Sequence, residues 1–262
     1  MSNGSGIAAA LGVGVGLVAL GALGRAAGTA TSSGGGSGGG AQECPEGLSP
    51  LRSVAADVLT AGGSIDPGWI TFLGAVAHHE SGWDPAVYNG FADAQVPTGV
   101  RRVGKVDGPG AVSNYNRNAK HYANCTWPKA RYTFGSGGWY GFLPTVGLHA
   151  FIKGPYVCLD PWSVFSPYPS TIMAIDMARR LKNNWAGFKK QPTWKNLNRG
   201  WKAPGNMGSP QEGSDRRFDR ALRAMGVPVE WGDQEVAGLG GWKSGTANHV
   251  LGLWLGNGDA NA

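Results

Sequence analysis

Residues Asp66–Pro85 read DPGWITFLGAVAHHESGWDP, and they carry the clearest structural signal of the chain. Asp66 is a good helix N-cap, and Pro67 fits the first helical position. Gly82 is a typical helix stop. Between these signals one helical stripe consists of Trp69, Leu73, Val76 and Glu80, with Phe72 and Ala77 beside it. The pattern predicts a helix whose apolar stripe faces the core and whose last turn carries Glu80.

The carboxyl group of Glu80 is the strongest candidate for catalysis. Burial raises the pKa of a carboxyl group through desolvation. A carboxyl group that keeps its proton near neutral pH can donate that proton to a glycosidic oxygen. The alternative is a helix-end glutamate that local hydrogen bonds satisfy, and periodicity alone leaves both readings open.

Other catalytic patterns are weak. His78, His79 and Glu80 are adjacent, so on a helix they point about 100° apart and do not converge as the histidines of HExxH do. The only Gly-x-Ser-x-Gly match, Gly35–Gly39, lies in a low-complexity segment where no nucleophile elbow is expected. The sequence therefore predicts no metal and no other cofactor.

The head of the chain differs in composition from the rest. Residues 1–27 contain the uncharged run Ile7–Gly24, whose 18 residues are just long enough to cross a bilayer. Residues 28–42 are rich in Gly and Ser, which is typical of a flexible linker. All 11 tryptophans fall in residues 43–262, which predicts one globular domain. We expect a membrane anchor, a tether and a domain; the alternative is cleavage near Ala30.

The domain is predicted to be mainly α. Helical periodicity covers Pro50–Gly62, Ser170–Trp185 and Asp215–Met225, whereas strand-like alternation is scarce. A further helix is expected after Pro144. Gly90–Thr133 is polar, Gly-rich and aperiodic, and is expected to form a long loop.

Positive charge is concentrated in two segments. The net charge is +6, and residues 101–131 and 179–202 carry most of the excess. A basic surface attracts polyanions, so nucleic acid and the anionic polymers of a bacterial envelope are both candidate partners. A merely solvated basic face is an equally good interpretation.

The cysteines number three, Cys44, Cys125 and Cys158, without CxxC spacing. A structural zinc site is therefore not expected. In an exported domain Cys125 and Cys158 can form a disulfide, while three reduced cysteines fit the sequence equally well.

The hexapeptide Glu80–Pro85, ESGWDP, resembles the Glu-Ser-Gly-aromatic-Asn/Asp-Pro signature of soluble lytic transglycosylases (SLT), a family similar to goose-type lysozyme. Gly135–Thr145 is similar to that family's Gly-Ala-x-Gly-Leu-Met-Gln segment. Asp160-Pro161 with the helix that follows resembles a further family segment, and Arg199–Gly205 loosely resembles the Ala-Tyr-Asn-Ala-Gly segment. The resemblance covers about residues 66–225.

The chain departs from the family pattern at two places. Gly141 stands where the family usually has Gln. About 45 residues, a basic insertion spanning about 90–134, separate Asn89 from Gly135. The insertion is expected either to cap a substrate groove or to bind an envelope polymer.

The resemblance implies a lysozyme-like, mainly α domain over residues 43–262 that cleaves the MurNAc-GlcNAc bond of peptidoglycan. It implies Glu80 as the catalytic acid, and no metal or cofactor. Ser81, Tyr140, Phe142 and Trp201 are the candidates for lining the groove, with ordinary packing as the alternative. A membrane-anchored enzyme facing the periplasm or wall fits a phage virion that opens a wall on entry, or a bacterial secretion or conjugation system.

Two other classes of function stay open at this stage. One is a non-catalytic glycan-binding or structural component of an envelope-crossing machine, which releases no glycan fragments. The other is a DNA-handling protein, which would bind with a steep salt dependence. Of the expected partners, peptidoglycan glycan strands and a membrane are favoured over nucleic acid.

Overall fold

The structure is a computed structural model, and it describes residues 45–64, 66–89, 96–104, 136–142, 161–202 and 211–254. Within these ranges, no helix is long and apolar enough to cross a bilayer. Several predictions fall outside the described residues: the anchor, the tether, the helix after Pro144 and the pairing of Cys125 with Cys158.

The described part of the chain is mainly α, as predicted. Its helices are α1 (Leu48–Ala61), α2 (Pro67–Ser81), α3 (Pro167–Asn184), α4 (Ala186–Lys190), α5 (Trp194–Lys202), α6 (Gln211–Ala224) and α7 (Thr246–Trp254), with short 3-10 helices at Pro161–Phe165 and Val229–Asp233. The strands are β1 (Val87–Asn89), β2 (Arg101–Gly104) and β3 (Ser136–Gly137).

Helix α2 lies at the centre of the fold. The Asp66 carboxylate accepts a hydrogen bond of 2.7 Å from the Gly68 N–H, and Pro67 occupies the first turn, as predicted. The helix packs against α1 and α6. Every residue from Phe72 to Ala77 is buried, so the single core-facing stripe predicted from the sequence is too narrow. A helix enclosed in this way positions its last residue rigidly.

Aromatic side chains form much of the core around α2. The Trp69 ring meets the Trp194 ring edge-on at 5.0 Å, and Trp194 stacks on Trp231 at 5.0 Å. Phe72 contacts Trp194 at 5.7 Å and Trp201 at 6.3 Å. Among the described tryptophans, packing is thus the main use, while Trp254 stays 42 % exposed.

The three strands form a small sheet in the order β2-β1-β3. Strand β1 runs parallel to β2 and antiparallel to β3. Strand β2 lies inside the segment Gly90–Thr133, which the sequence predicted as a loop. That prediction is wrong at Arg101–Gly104, because a short strand that owes its existence to a distant partner leaves no alternation in the sequence.

Helix α3 begins earlier than predicted. Ser166 is the N-cap residue and the helix starts at Pro167. Ser170, the first residue of the helix expected from the sequence, is buried, and its hydroxyl donates to the Pro167 carbonyl oxygen at 3.0 Å. Prolines at the first helical positions are consistent with this earlier start.

Candidate functional site

The chain leaves α2 through two left-handed residues directly after Glu80 and Ser81. Gly82 has φ 65°, and its N–H donates to the His78 carbonyl oxygen at 2.9 Å. Trp83 has φ 66°, which costs a residue with a side chain about 1–2 kcal/mol. Its buried indole N–H donates to the Gly74 carbonyl oxygen at 2.8 Å, and this anchored ring offsets the cost. The exit from the helix is therefore tight and fixed.

Glu80 lies at this end of α2 with 18 % of its side chain exposed. Its carboxylate faces the turn Gly138–Phe142 that follows β3. A Cβ atom placed on Gly141 would lie 2.8 Å from Oε2. The other carboxylate oxygen, Oε1, lies 3.9 Å from Nε2 of His79, whose side chain is only 2 % exposed. The carboxylate is thus largely enclosed but still reachable, which suits proton exchange with a bound molecule.

Two features favour glycine at position 141. Its φ of 61° is a left-handed conformation that glycine adopts without cost. A Cβ atom there would also lie only 3.3 Å from the Cβ of Glu80, besides its contact with Oε2. The position at which the chain departs from the family pattern is therefore the position where the backbone approaches Glu80.

Ser81 joins the end of α2 to the same turn. Its Oγ lies 2.9 Å from the Ala77 carbonyl oxygen and 3.0 Å from the Trp139 carbonyl oxygen, so one hydroxyl proton serves two acceptors. The Trp139 indole N–H donates to the Trp83 carbonyl oxygen at 3.0 Å. These bonds hold the turn against the helix end. Contact between Ser81 and a glycan strand stays a prediction.

The structure brings together the three aromatic residues that the sequence proposed for the groove. The ring centroids of Tyr140 and Phe142 are 6.0 Å apart, and Trp201 lies 6.4 Å and 5.6 Å from them, respectively. All three side chains are buried. The Tyr140 hydroxyl bonds the Thr171 hydroxyl at 3.2 Å, and burial raises the pKa of the Tyr140 phenol. The three side chains therefore pack in the core, and ordinary packing was the alternative to lining a groove. Direct glycan contact stays a prediction.

Asp84 is engaged in local structure. Oδ1 accepts a hydrogen bond of 2.8 Å from the Ala86 N–H, and Oδ2 pairs with the Arg101 guanidinium at 2.7 Å. The same Arg101 donates its backbone N–H to the Ala86 carbonyl oxygen at 2.7 Å. The carboxylate therefore joins the turn after α2 to strand β2.

His78 lies two residues before Glu80 and is partly buried. The His78 ring packs on the Trp83 ring at 4.7 Å, and burial together with the nearby Arg220 charge lowers the pKa of His78. Among the described residues, no group of three or more His, Cys, Asp or Glu side chains converges as a metal site would require.

Sequence reasoning missed the residues of the turn Gly138–Phe142 that face Glu80. Gly141 was visible only as a departure from a family pattern, and Trp139 carried no signal of its own. Both act through contacts with α2, far away along the chain. Spacing within one segment does not encode such contacts, although the left-handed turn of a Gly-rich segment was a usable cue.

Comparison with known proteins gives no relative for this chain: no protein family, no curated protein and no solved structure matches it.

Proposed function

We propose that the chain is a peptidoglycan-cleaving enzyme with a lysozyme-like domain, and that Glu80 is its catalytic acid. Its substrate is the glycan strand, and the bond cleaved joins N-acetylmuramic acid to N-acetylglucosamine. No metal or other cofactor takes part in the proposed reaction. We also propose that residues Glu80–Pro85 are a lytic transglycosylase signature.

One observation carries it. The Glu80 carboxylate lies in the last turn of a helix whose middle, Phe72–Ala77, is buried; it is 18 % exposed and lies against the backbone of a glycine turn. The left-handed pair after the helix and the Ser81 and Trp139 hydrogen bonds hold this arrangement in place. Such a rigid supporting shell is what positions a proton donor against a substrate oxygen.

In the proposed reaction, Glu80 donates its proton to the glycosidic oxygen as the bond to the muramic C1 breaks. The oxygen of water or of the muramic 6-hydroxyl group then forms the new bond to C1 and gives its proton to the Glu80 carboxylate. Water gives a reducing end, and the 6-hydroxyl gives a 1,6-anhydro end. Assistance by the substrate's N-acetyl group makes a second catalytic carboxylate unnecessary, which agrees with the structural engagement of Asp84.

The proposed setting is the surface of a membrane. The run Ile7–Gly24 would anchor the chain in a virion membrane or a bacterial envelope, and residues 28–42 would give the domain reach toward the wall. Local opening of the wall, during phage entry or the assembly of an envelope-crossing machine, fits a tethered enzyme. A transmembrane or virion location, like the activity, belongs to the proposal.

Digestion of purified peptidoglycan followed by mass spectrometry tests this function. The proposal predicts soluble muropeptides, and the mass of their ends identifies the reaction, because an anhydro end is lighter by one water than a reducing end. A purified, folded protein that binds peptidoglycan and releases no fragments would be a glycan-binding or structural component instead.

A further inference from the structure

An open cavity of about 740 Å³ lies beside the segment that leads into β2. One wall is Pro85 and Ala86, directly after the Glu80–Asp84 turn. The second is Val96–Val100, which leads into β2, and the third is the 3-10 helix with Ser166. Its volume lies within the range of about 300–1,000 Å³ that is usual for small-molecule sites.

The lining combines an aromatic face with uncharged hydroxyl groups. Trp162 and Phe165 contribute rings, and Thr98, Ser163 and Ser166 contribute hydroxyl groups. Within the described part of the chain, these three hydroxyl groups make no side-chain hydrogen bond. None of the described lining residues is charged. This composition favours a neutral ligand with one flat apolar face and several hydroxyl or amide groups at its edge.

Packing holds the Trp162 ring in place. The ring meets the buried Tyr88 of β1 edge-on at 5.9 Å and lies 5.9 Å from the Phe165 ring. Trp162 itself is only partly buried. A partly exposed ring that its neighbours already hold loses little side-chain entropy when a ligand stacks on it.

Packing contacts connect the cavity to the turn Gly138–Phe142, which faces Glu80. Gly137 and Gly138, which lead into the Gly141 turn, pack so closely on Phe165 and Val164 that a Cβ atom at either position would overlap them. Two strand spacings separate the edges of the three-stranded sheet by roughly 10 Å. A polymer of sugar rings is long enough to contact the Glu80 turn and the cavity together.

We propose that this cavity binds a neutral N-acetylhexosamine ring of the glycan strand, with the ring's apolar face on Trp162 and its polar edge toward Thr98, Ser163 and Ser166. The identity of the sugar rests on the proposed function. The insertion then supplies a sugar site through Val96–Val100, a segment without charged side chains.

Titration of the full-length Glu80→Gln protein with N-acetylchitotetraose tests the proposal, because this neutral tetrasaccharide carries no muramic carboxylate. Isothermal titration calorimetry gives the affinity at low and high salt. In this background, Trp162→Ala should weaken binding about ten-fold or more, the loss expected for an aromatic stacking contact. Thr98→Val, which removes only a hydroxyl group, should weaken it a few-fold. Trp254→Ala is the matched control, because that exposed ring lies outside the cavity, and it should leave the affinity unchanged.

Since none of the described lining residues is charged, the affinity should be the same at both salt concentrations. A steep fall of affinity with salt would overturn the proposal. The proposal would also be overturned if the Glu80→Gln parent does not bind the tetrasaccharide, or if Thr98→Val and a folded Trp162→Ala both bind it as tightly as that parent. If Trp162→Ala does not fold, the affinity of Thr98→Val alone decides. Peptidoglycan cleavage by the unsubstituted protein, measured in parallel, keeps the two hypotheses apart. If the protein cleaves peptidoglycan but the cavity does not bind the tetrasaccharide, only the sugar site is rejected. If the cavity binds the tetrasaccharide but the protein does not cleave peptidoglycan, only the enzymatic function is rejected.

Discussion

At the scale of single residues, the space around the Glu80 carboxylate depends on the absence of a side chain at position 141. A carboxyl group that transfers a proton needs a defined position, because a displacement of about 1 Å can cost about 10²-fold in rate. The glycine backbone reaches this carboxylate more closely than any side-chain-bearing residue would allow. Gly141 therefore acts as a positioning residue for Glu80.

Replacement of Gly141 by alanine tests this role. We expect Gly141→Ala to lower kcat for peptidoglycan cleavage on the order of 10²-fold, because the new methyl group displaces the Glu80 carboxylate. Gly226→Ala is the matched control: Gly226 has a similar φ of 70°, but nothing lies within 4 Å of its missing Cβ atom. Both variants should lose about 1 kcal/mol of unfolding free energy to the left-handed backbone. Gly141→Ala should lose more, because its methyl group meets Glu80, and only Gly141→Ala should lose activity.

A double mutant separates the contact from backbone strain. In a Glu80→Ala background the obstructing side chain is gone, so Gly141→Ala should cost no more stability than Gly226→Ala does. Thermal or denaturant unfolding of the four proteins gives this coupling free energy. Equal penalties in both backgrounds would mean that residue 141 does not press on Glu80.

Asp84 has a different role in the same motif, and its substitution should have a different outcome. Asp84→Asn keeps an acceptor for the Ala86 N–H but weakens the pair with Arg101, which is more than half exposed. An exposed ion pair contributes about 0–1 kcal/mol, so stability should fall little. Cleavage should fall far less than in Glu80→Gln. An equally severe loss in the two variants, measured on peptidoglycan, would make Asp84 a proton-transfer group as well.

At the scale of elements, helix α2 was predictable and the wall opposite it was not. The Asp66 cap, Pro67 and the Gly82 stop are local signals, because each acts on a backbone group a few residues away. Strand β2 and the Gly141 turn depend on pairing with distant segments, and the sequence around them shows only glycine and charge. The sequence therefore located Glu80, whereas the residues that enclose it required the fold.

The burial of His78 in α2 predicts a pH dependence of stability. Its folded-state pKa is lowered, chiefly by burial and further by the Arg220 charge. The unfolded chain therefore binds the proton more tightly, and stability is lost as the pH falls through the unfolded value of about 6.5 toward the folded value. His78→Phe keeps a ring against Trp83 but removes the titration. Urea unfolding from pH 7 to pH 5 should show a shallower decline for this variant, and identical slopes would contradict the prediction.

At the scale of the whole molecule, the domain is expected to be independent of the head of the chain. The described residues form one continuous core around α2, and residues 1–40 have the composition of an anchor and a tether. Deletion of residues 1–40 should therefore leave a soluble, folded and active domain. The truncated protein should also lose the binding to lipid vesicles that we expect of the full chain. An aggregated or inactive truncation would show that the head belongs to the fold.

Glu80→Gln, assayed for cleavage of purified peptidoglycan, tests the proposed mechanism most directly. Gln keeps the size of the side chain but removes the transferable proton, and general acid–base catalysis typically contributes about 10²–10⁴-fold. We predict a loss of at least that order in a protein whose unfolding transition is unchanged or raised, while His79→Gln retains substantial activity. A folded Glu80→Gln protein that cleaves peptidoglycan as fast as the parent would show that Glu80 is not the catalytic acid.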